Sequence, residues 1–426
     1  MKRISAMLLA LAMTAALCAC GQTAALEEAP PPAASEPMPE ETAAPVALSV
    51  AASYDSADGR ESYERLVSAY EAASGNSVVS GGEPDVMRLT VADADTQALI
   101  ASGGVVSLED IRAQYPQYAA NIREDMLPAA PDGRHYAVPA RAEWEMLFVN
   151  RAVLRNCGAD EPQDDYTWEQ FAAVCRTVHD NGYTPIACAL GKQPEVMLDY
   201  ALLDVMGTAD DLALPTVEEN RRVVEDGVYD AWLTAIDELN KLYKLGWLSR
   251  NALTAEYETA ADMFAVGDAA FFVGDCAALG YLADNWGDSP EDYAVACVPA
   301  RGARAASDAV GSVTAGWYIS SRAWNDDARR AAAVGLVEWL SSDEALGAFP
   351  NDGVTVFAPA VQPQGGNALV RSALAAGARL SSLTGSAWNS VTDDMRDELA
   401  GVIPDAFTGK KTAKQALNEA LVSGST

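Results

Sequence analysis

Any chemistry this chain performs must come largely from carboxylates and aromatic rings, because its other reactive groups are sparse. Two histidines occur, His135 in an Asp-Gly turn and His179 near a helix end. The signatures GxSxG, HExxH, GxGxxG and GxxxxGK[ST] are all absent. With 61 acidic residues, pairs of carboxylates are plentiful and a spacing suited to glycoside cleavage carries no information. Asp284, Asp288 and Asp292 surround Gly287, but they lack the ordered spacing of a calcium loop and read as a solvated acidic turn. What remains is recognition. A flat ring can receive a C–H-rich face, and one carboxylate can accept from two neighbouring hydroxyls. Candidates sit where strands end and loops begin: Tyr54 and Asp55, then Arg141, Glu143 and Trp144, then Asp275, Trp317, and Trp388 with Asn389. No metal site and no cofactor is implied.

The elements that must position these residues are legible in part. Val46 to Ala52 reads as a first strand, and Arg60 to Ser74 as a helix stopped by Gly75. The stretch from Asp132 to Leu190 is the best marked. An Asp-Gly turn leads to Tyr136-Ala137-Val138-Pro139, and Met146 to Val149 forms a second strand-like run. Thr167 and Gln170 then predict a capping box, with Phe171, Val174, Cys175 and Val178 on one apolar stripe and Asn181-Gly182 as the stop. Pro185 to Leu190 reads as a buried strand. Further along come a helix over 230–245, a strand over 269–274, a strand over 293–299, a strand at 316–320, a helix over 329–340, and a second capping box at Thr412 and Gln415. Strands alternating with helices predict two α/β lobes.

The chain carries 29 basic and 61 acidic residues, so it repels nucleic acid and anionic lipid head groups, and neither is an expected partner. Lys2-Arg3 followed by the apolar Ile4 to Leu17 reads as a leader too short to span a membrane comfortably. Without Lys2 and Arg3, 27 basic against 61 acidic side chains leave a net charge of −34. Leu17-Cys18-Ala19-Cys20 resembles the bacterial lipobox, which implies a signal peptide over 1–19 and lipid attachment at Cys20. Residues 20–45, rich in proline, alanine and glutamate, read as a disordered tether. The five remaining cysteines show no pairing pattern, and Cys175, Cys188 and Cys297 read as small buried apolar residues.

Several of these segments together resemble the extracellular solute-binding proteins of ABC importers, in particular the sugar-binding, maltose-binding-protein-like family. The segments are Asp132 to Pro139, Phe148-Val149-Asn150-Arg151, Thr167-Trp168-Glu169, Gly182 to Ile186, Asp268 to Gly274, Gly316-Trp317-Tyr318-Ile319-Ser320 and Gly409 to Leu417. The resemblance covers about 46 to 421. It departs from the family pattern at Asn76 to Glu83, where a second strand and a helix are expected, and at Cys276, where an aromatic residue is expected. It implies a two-lobed periplasmic-binding-protein-like fold of type II, with the ligand cleft at the hinge. Lobe 1 is expected over 46–140 plus 299–357 and lobe 2 over 141–298 plus 358–426. By the same resemblance Trp317 and Trp388 stack on ligand and Asp275 lies beside the cleft. The implied function is non-enzymatic capture of a mono- or oligosaccharide by hinge closure, as a monomer held to the cell membrane by lipid at Cys20, with delivery to ABC permease subunits. Two other readings stay open: a lipoprotein of this fold that presents another small solute to a sensor, and a secreted carbohydrate-active enzyme.

Overall fold

The structure, a computed structural model, describes residues 44–54, 57–163, 166–207, 216–218, 221–223, 226–287, 289, 291–302, 304–349, 355–361, 367–390 and 393–422. Asp55, Asp288, Cys20, the leader and the tether up to residue 43 lie outside the described residues.

Twelve strands are described: β1 (Ala47–Ala51), β2 (Ser77–Val79), β3 (Val86–Thr90), β4 (Val138–Trp144), β5 (Met146–Asn150), β6 (Thr184–Ala187), β7 (Thr216–Glu218), β8 (Arg221–Val223), β9 (Ala269–Gly274), β10 (Tyr293–Ala296), β11 (Asp308–Ile319) and β12 (Ser382–Thr384). They form two main mixed sheets. The first runs β12-β11-β3-β1-β2, with β4 also on β11; the second runs β10-β5-β9-β6. β7 and β8 pair only with each other. The two-lobed α/β fold expected from the resemblance is therefore present, and helices pack around both sheets.

The segment Asn76 to Glu83 keeps a strand of the family pattern, because β2 lies parallel to β1. Asp85 holds this end of the first sheet together. It is fully buried, accepts from the Ser49 N–H at 2.9 Å, and meets Arg329 at 2.8 Å and Arg322 at 2.5 Å. A carboxylate taken out of water survives there because two cations and a backbone donor replace its hydration.

Strand pairing locates the passages between sheets. β4 belongs to the first sheet and β5 to the second, so the chain crosses at Glu145 rather than near Ala140. Gly311 permits this close crossing: a Cβ there would lie 2.3 Å from the Glu143 carbonyl oxygen and 2.8 Å from the Trp144 Cα. The return passage lies between β10 and β11, on either side of Pro299. After Phe357 the helix Ala368–Gly377 packs on β10, then β12 pairs with β11 in the first sheet, and the C-terminal helices Asp393–Phe407 and Ala413–Leu417 join the second core.

Arg304 fastens the second passage. Its side chain is wholly buried, with Nε on Asp204 at 2.9 Å and Nη1 donating to the Val298 and Asp308 carbonyls at 3.1 and 3.0 Å. Its Nη2 donates to the Pro299 carbonyl at 3.1 Å. The guanidinium also lies 4.7 Å from the Tyr200 ring centre. Cys175 and Cys188 are buried, whereas Cys297, beyond the end of β10, is half-buried.

Candidate functional site

The rim of the second sheet nearest the first is built from strand ends and helix starts. Met146 pairs with Gly274, which sets Glu145 and Asp275 side by side, one residue beyond the ladder. Asp275 caps the helix Cys276–Trp286, accepting from the Ala278 N–H and from the Tyr257 hydroxyl, each at 3.0 Å. The helix Glu195–Met206 adds Glu195 and, one turn on, Asp199. The negative charges of Asp199, Asp275 and Glu195 therefore act on Glu145.

Burial governs these acids. Asp199 is 2% exposed; its Oδ1 accepts from the Ala387 N–H at 3.0 Å, while Oδ2 has no hydrogen-bond partner. Burial pushes its pKa up to about 7, against hydrogen bonds from Ser386 and Ala387 that favour the charged form. Glu145 is half-buried as a residue, but its Oε2 is sealed from solvent without a partner. Burial first, and then Asp199, Asp275 and Glu195, raise its pKa well above the ordinary carboxylate value. Burial also raises that of Glu195, which Arg396 partly offsets. Trp388, next in the chain to Ala387, whose N–H bonds Asp199, is 5% exposed, sits edge-on to Trp232 at 5.6 Å and has no partner among the described residues for its indole N–H. Arg396 donates to the Trp388 carbonyl at 2.8 Å.

The first sheet contributes a second group. Tyr54 stacks on Phe349 at 5.9 Å, lies 5.3 Å from Tyr63, and carries the Arg88 guanidinium 4.4 Å above its ring centre. Trp317, 3% exposed, packs on Tyr63 at 6.1 Å. Tyr54, Arg88, Ala140, Trp317 and Thr355 help line a hollow of about 20 Å³, room for about one water molecule. On β4, Arg141 and Glu143 form an ion pair at 2.8 Å, and Trp144 is 1% exposed.

The structure therefore brings Glu143, Trp144 and Asp275 to the passage at Glu145, with Trp388 beside Asp199, and places Tyr54 with Trp317 apart, in the first sheet. Trp317 and Trp388 present little free ring face, being packed on protein rings. The Asn389 side chain lies outside what is described, although its backbone sits in the short helix Ala387–Ser390. Sequence reasoning missed Glu145, Glu195, Asp199 and Arg396. The available signal was an acid at every other residue from Glu143 to Glu145, and three acids, Glu195, Asp199 and Asp204, in a largely apolar helix. Another hollow, about 220 Å³, lies under the helix Glu195–Met206 and is lined largely by apolar side chains such as Leu147, Phe171, Met197 and Val273. It offers few groups to orient a polar solute.

Residues 67–346 match the family model described as bacterial extracellular solute-binding protein. No curated protein matches the sequence. The fold is similar to that of the bacterial solute receptor AcbH, which has an exclusive preference for β-D-galactopyranose: TM-score 0.70, 16% identity, 89% of this chain and 97% of that one. It is also similar to RafE from Streptococcus pneumoniae (TM-score 0.66, 16% identity, 88% and 96%) and to a chitin oligosaccharide binding protein (TM-score 0.58, 18% identity, 88% and 96%). With the model spanning more than half of its residues, the chain belongs to the bacterial extracellular solute-binding protein family.

Proposed function

We propose that this protein is the substrate-binding lipoprotein of an ABC importer, that it captures a carbohydrate by hinge closure, and that it delivers the sugar to a membrane permease. It acts without catalysis, as a monomer anchored through lipid at Cys20. The lobes are roughly 46–144 plus 299–357 and 145–298 plus 358–426, except that β12 of the last segment pairs with β11 of the first sheet. The observation that carries this reading is a set of sealed polar atoms near the inter-sheet passage: Asp199 Oδ2, Glu145 Oε2 and the indole N–H of Trp388 have no hydrogen-bond partner among the described residues. A buried polar group without a partner costs free energy, and a polyhydroxylated solute supplies both donors and acceptors there. Sugar receptors among the similar structures point the same way. The ligand-contact set is Glu145, Asp199, Asp275 and Trp388, with Arg141, Glu143, Trp144, Tyr54 and Trp317 from the first sheet, and Asp55 and Asn389 join it from the sequence alone. Ligand bound on one lobe draws the other over it by the extra contacts of the closed form.

Thermal unfolding against mono- and oligosaccharides and amino acids tests this. A ligand that binds only the folded state adds about 2.7 kcal/mol at a hundred times its Kd. A saccharide-specific rise in Tm, reduced in Trp388→Phe, is expected. A rise with an amino acid and none with any saccharide would sink the carbohydrate assignment.

A further inference from the structure

The acids at the passage demand more than a neutral solute provides, given the receptor reading above. Four carboxylates lie near this rim: Glu145 and Asp275 one residue beyond the paired Met146 and Gly274, and Glu195 and Asp199 one turn apart on the helix Glu195–Met206. Their protein donors are few. Asp275 has the Tyr257 hydroxyl and the Ala278 N–H. Arg396 bears on Glu195, and its Nη2 is already given to the Trp388 carbonyl. Asp199 has Ser386 and the Ala387 N–H, yet Oδ2 stays unpartnered in a residue only 2% exposed. Glu145 Oε2 is likewise sealed and unpartnered.

Among the described residues, no three acidic, histidine or cysteine side chains converge closely enough to hold a metal ion. The negative charge is spread over the rim, which suits an organic cation with several donors. An ammonium group offers three donors and a full positive charge to acceptor-only carboxylates, where a hydroxyl offers one donor and no charge. The indole N–H of Trp388, beside Asp199 through Ala387, still needs an acceptor. A sugar oxygen meets that need and a simple polyamine does not. We infer that the cleft selects a solute carrying a protonated amine, an amino sugar, with the Asp199 and Glu145 carboxylates receiving the ammonium. A bound ammonium would lower the raised pKa values of both acids, so binding is coupled to the loss of their protons.

Titration calorimetry of the purified protein at pH 7 tests this with glucosamine, galactosamine and mannosamine against glucose, galactose and mannose, and with spermidine. One hexosamine should bind at least tenfold more tightly than its parent hexose. Asp199→Asn and Glu145→Gln should each bring that ratio towards one, with a cooperative melt showing that the variant is folded. The two variants back each other if one fails to fold. A hexose that binds as tightly as its amine overturns the inference and leaves the carbohydrate reading standing. Spermidine binding without any sugar binding overturns both the amino-sugar inference and the carbohydrate reading. No heat with any probe overturns both.

Discussion

Asp199→Asn should make the unliganded protein more stable at high pH, because Asp199 is an acid the fold holds at a loss. The folded carboxyl has its pKa pushed from 3.8 to about 7, chiefly by burial. The folded state therefore binds this proton more tightly than the unfolded chain does. Its contribution to stability is fully present below about pH 4 and is lost as pH rises through about 7. At 1.36 kcal/mol for each tenfold change in proton affinity, the whole effect is on the order of 4 kcal/mol. The 2% exposure of the side chain leaves little solvent to screen it. Asparagine keeps an oxygen for the Ala387 N–H and carries no charge at any pH. The variant should match the wild type near pH 4 and exceed it by 2 to about 4 kcal/mol at pH 8. Urea unfolding followed by tryptophan fluorescence across pH 4 to 8 measures this, read as the difference between the two proteins. That difference cancels the general effect of protonating a strongly acidic chain. A difference independent of pH, or a variant less stable than wild type at pH 8, would refute the reasoning. The same substitution should cost amine preference, so stability and recognition should move in opposite directions.

Two further perturbations address the passages themselves. Arg304→Met keeps the stem but strands Asp204 and the Val298, Pro299 and Asp308 carbonyls; breaking a buried pair from one side costs about 3 to 5 kcal/mol. Urea unfolding at pH 7 reads it, and a loss under about 1 kcal/mol would show that the connector does not depend on this residue. Gly311→Ala forces a Cβ to within 2.3 Å of the Glu143 carbonyl oxygen, so β4 and β11 must part at the crossing. A loss of about 1 to 3 kcal/mol in the same assay is expected, and an unchanged midpoint would contradict the close approach.

Local chemistry was readable and long-range burial was not, and the difference shows at particular residues. The Thr167–Gln170 and Thr412–Gln415 capping boxes and the positive-φ stop at Gly182 appear as expected, because each is settled within a few residues. The strand read over Pro185 to Leu190 ends at Ala187. There the chain turns to bond the segment after Trp247, with Ser249 N–H donating to the Ile186 carbonyl and Gly191 N–H to the Ala252 carbonyl. No local pattern announces that partner. Tryptophans mislead for the same reason: a ring bound for a core and a ring bound for a ligand have the same sequence signature. Trp317 on Tyr63 and Trp388 on Trp232 each serve a core on at least one side.

The acids are the instructive case. Among 61 of them nothing singles out Glu145, yet Asp199 breaks the apolar helix EVMLDYALLDVM, where an unpaired charge opposes the pattern around it. Two explanations suit such an acid, a structural ion pair or a ligand contact, and the sequence treats them alike. Asp204, in the same helix, takes the first course with Arg304. Asp199 has only backbone and hydroxyl donors on one side and none on Oδ2. The two aspartates differ by five positions and share their helix, so composition and propensity cannot separate them. What separates them is whether the fold brings a cation to the carboxylate. Where it brings none and still buries the group, the carboxyl holds its proton more tightly, and under the function proposed above its missing partner is the solute.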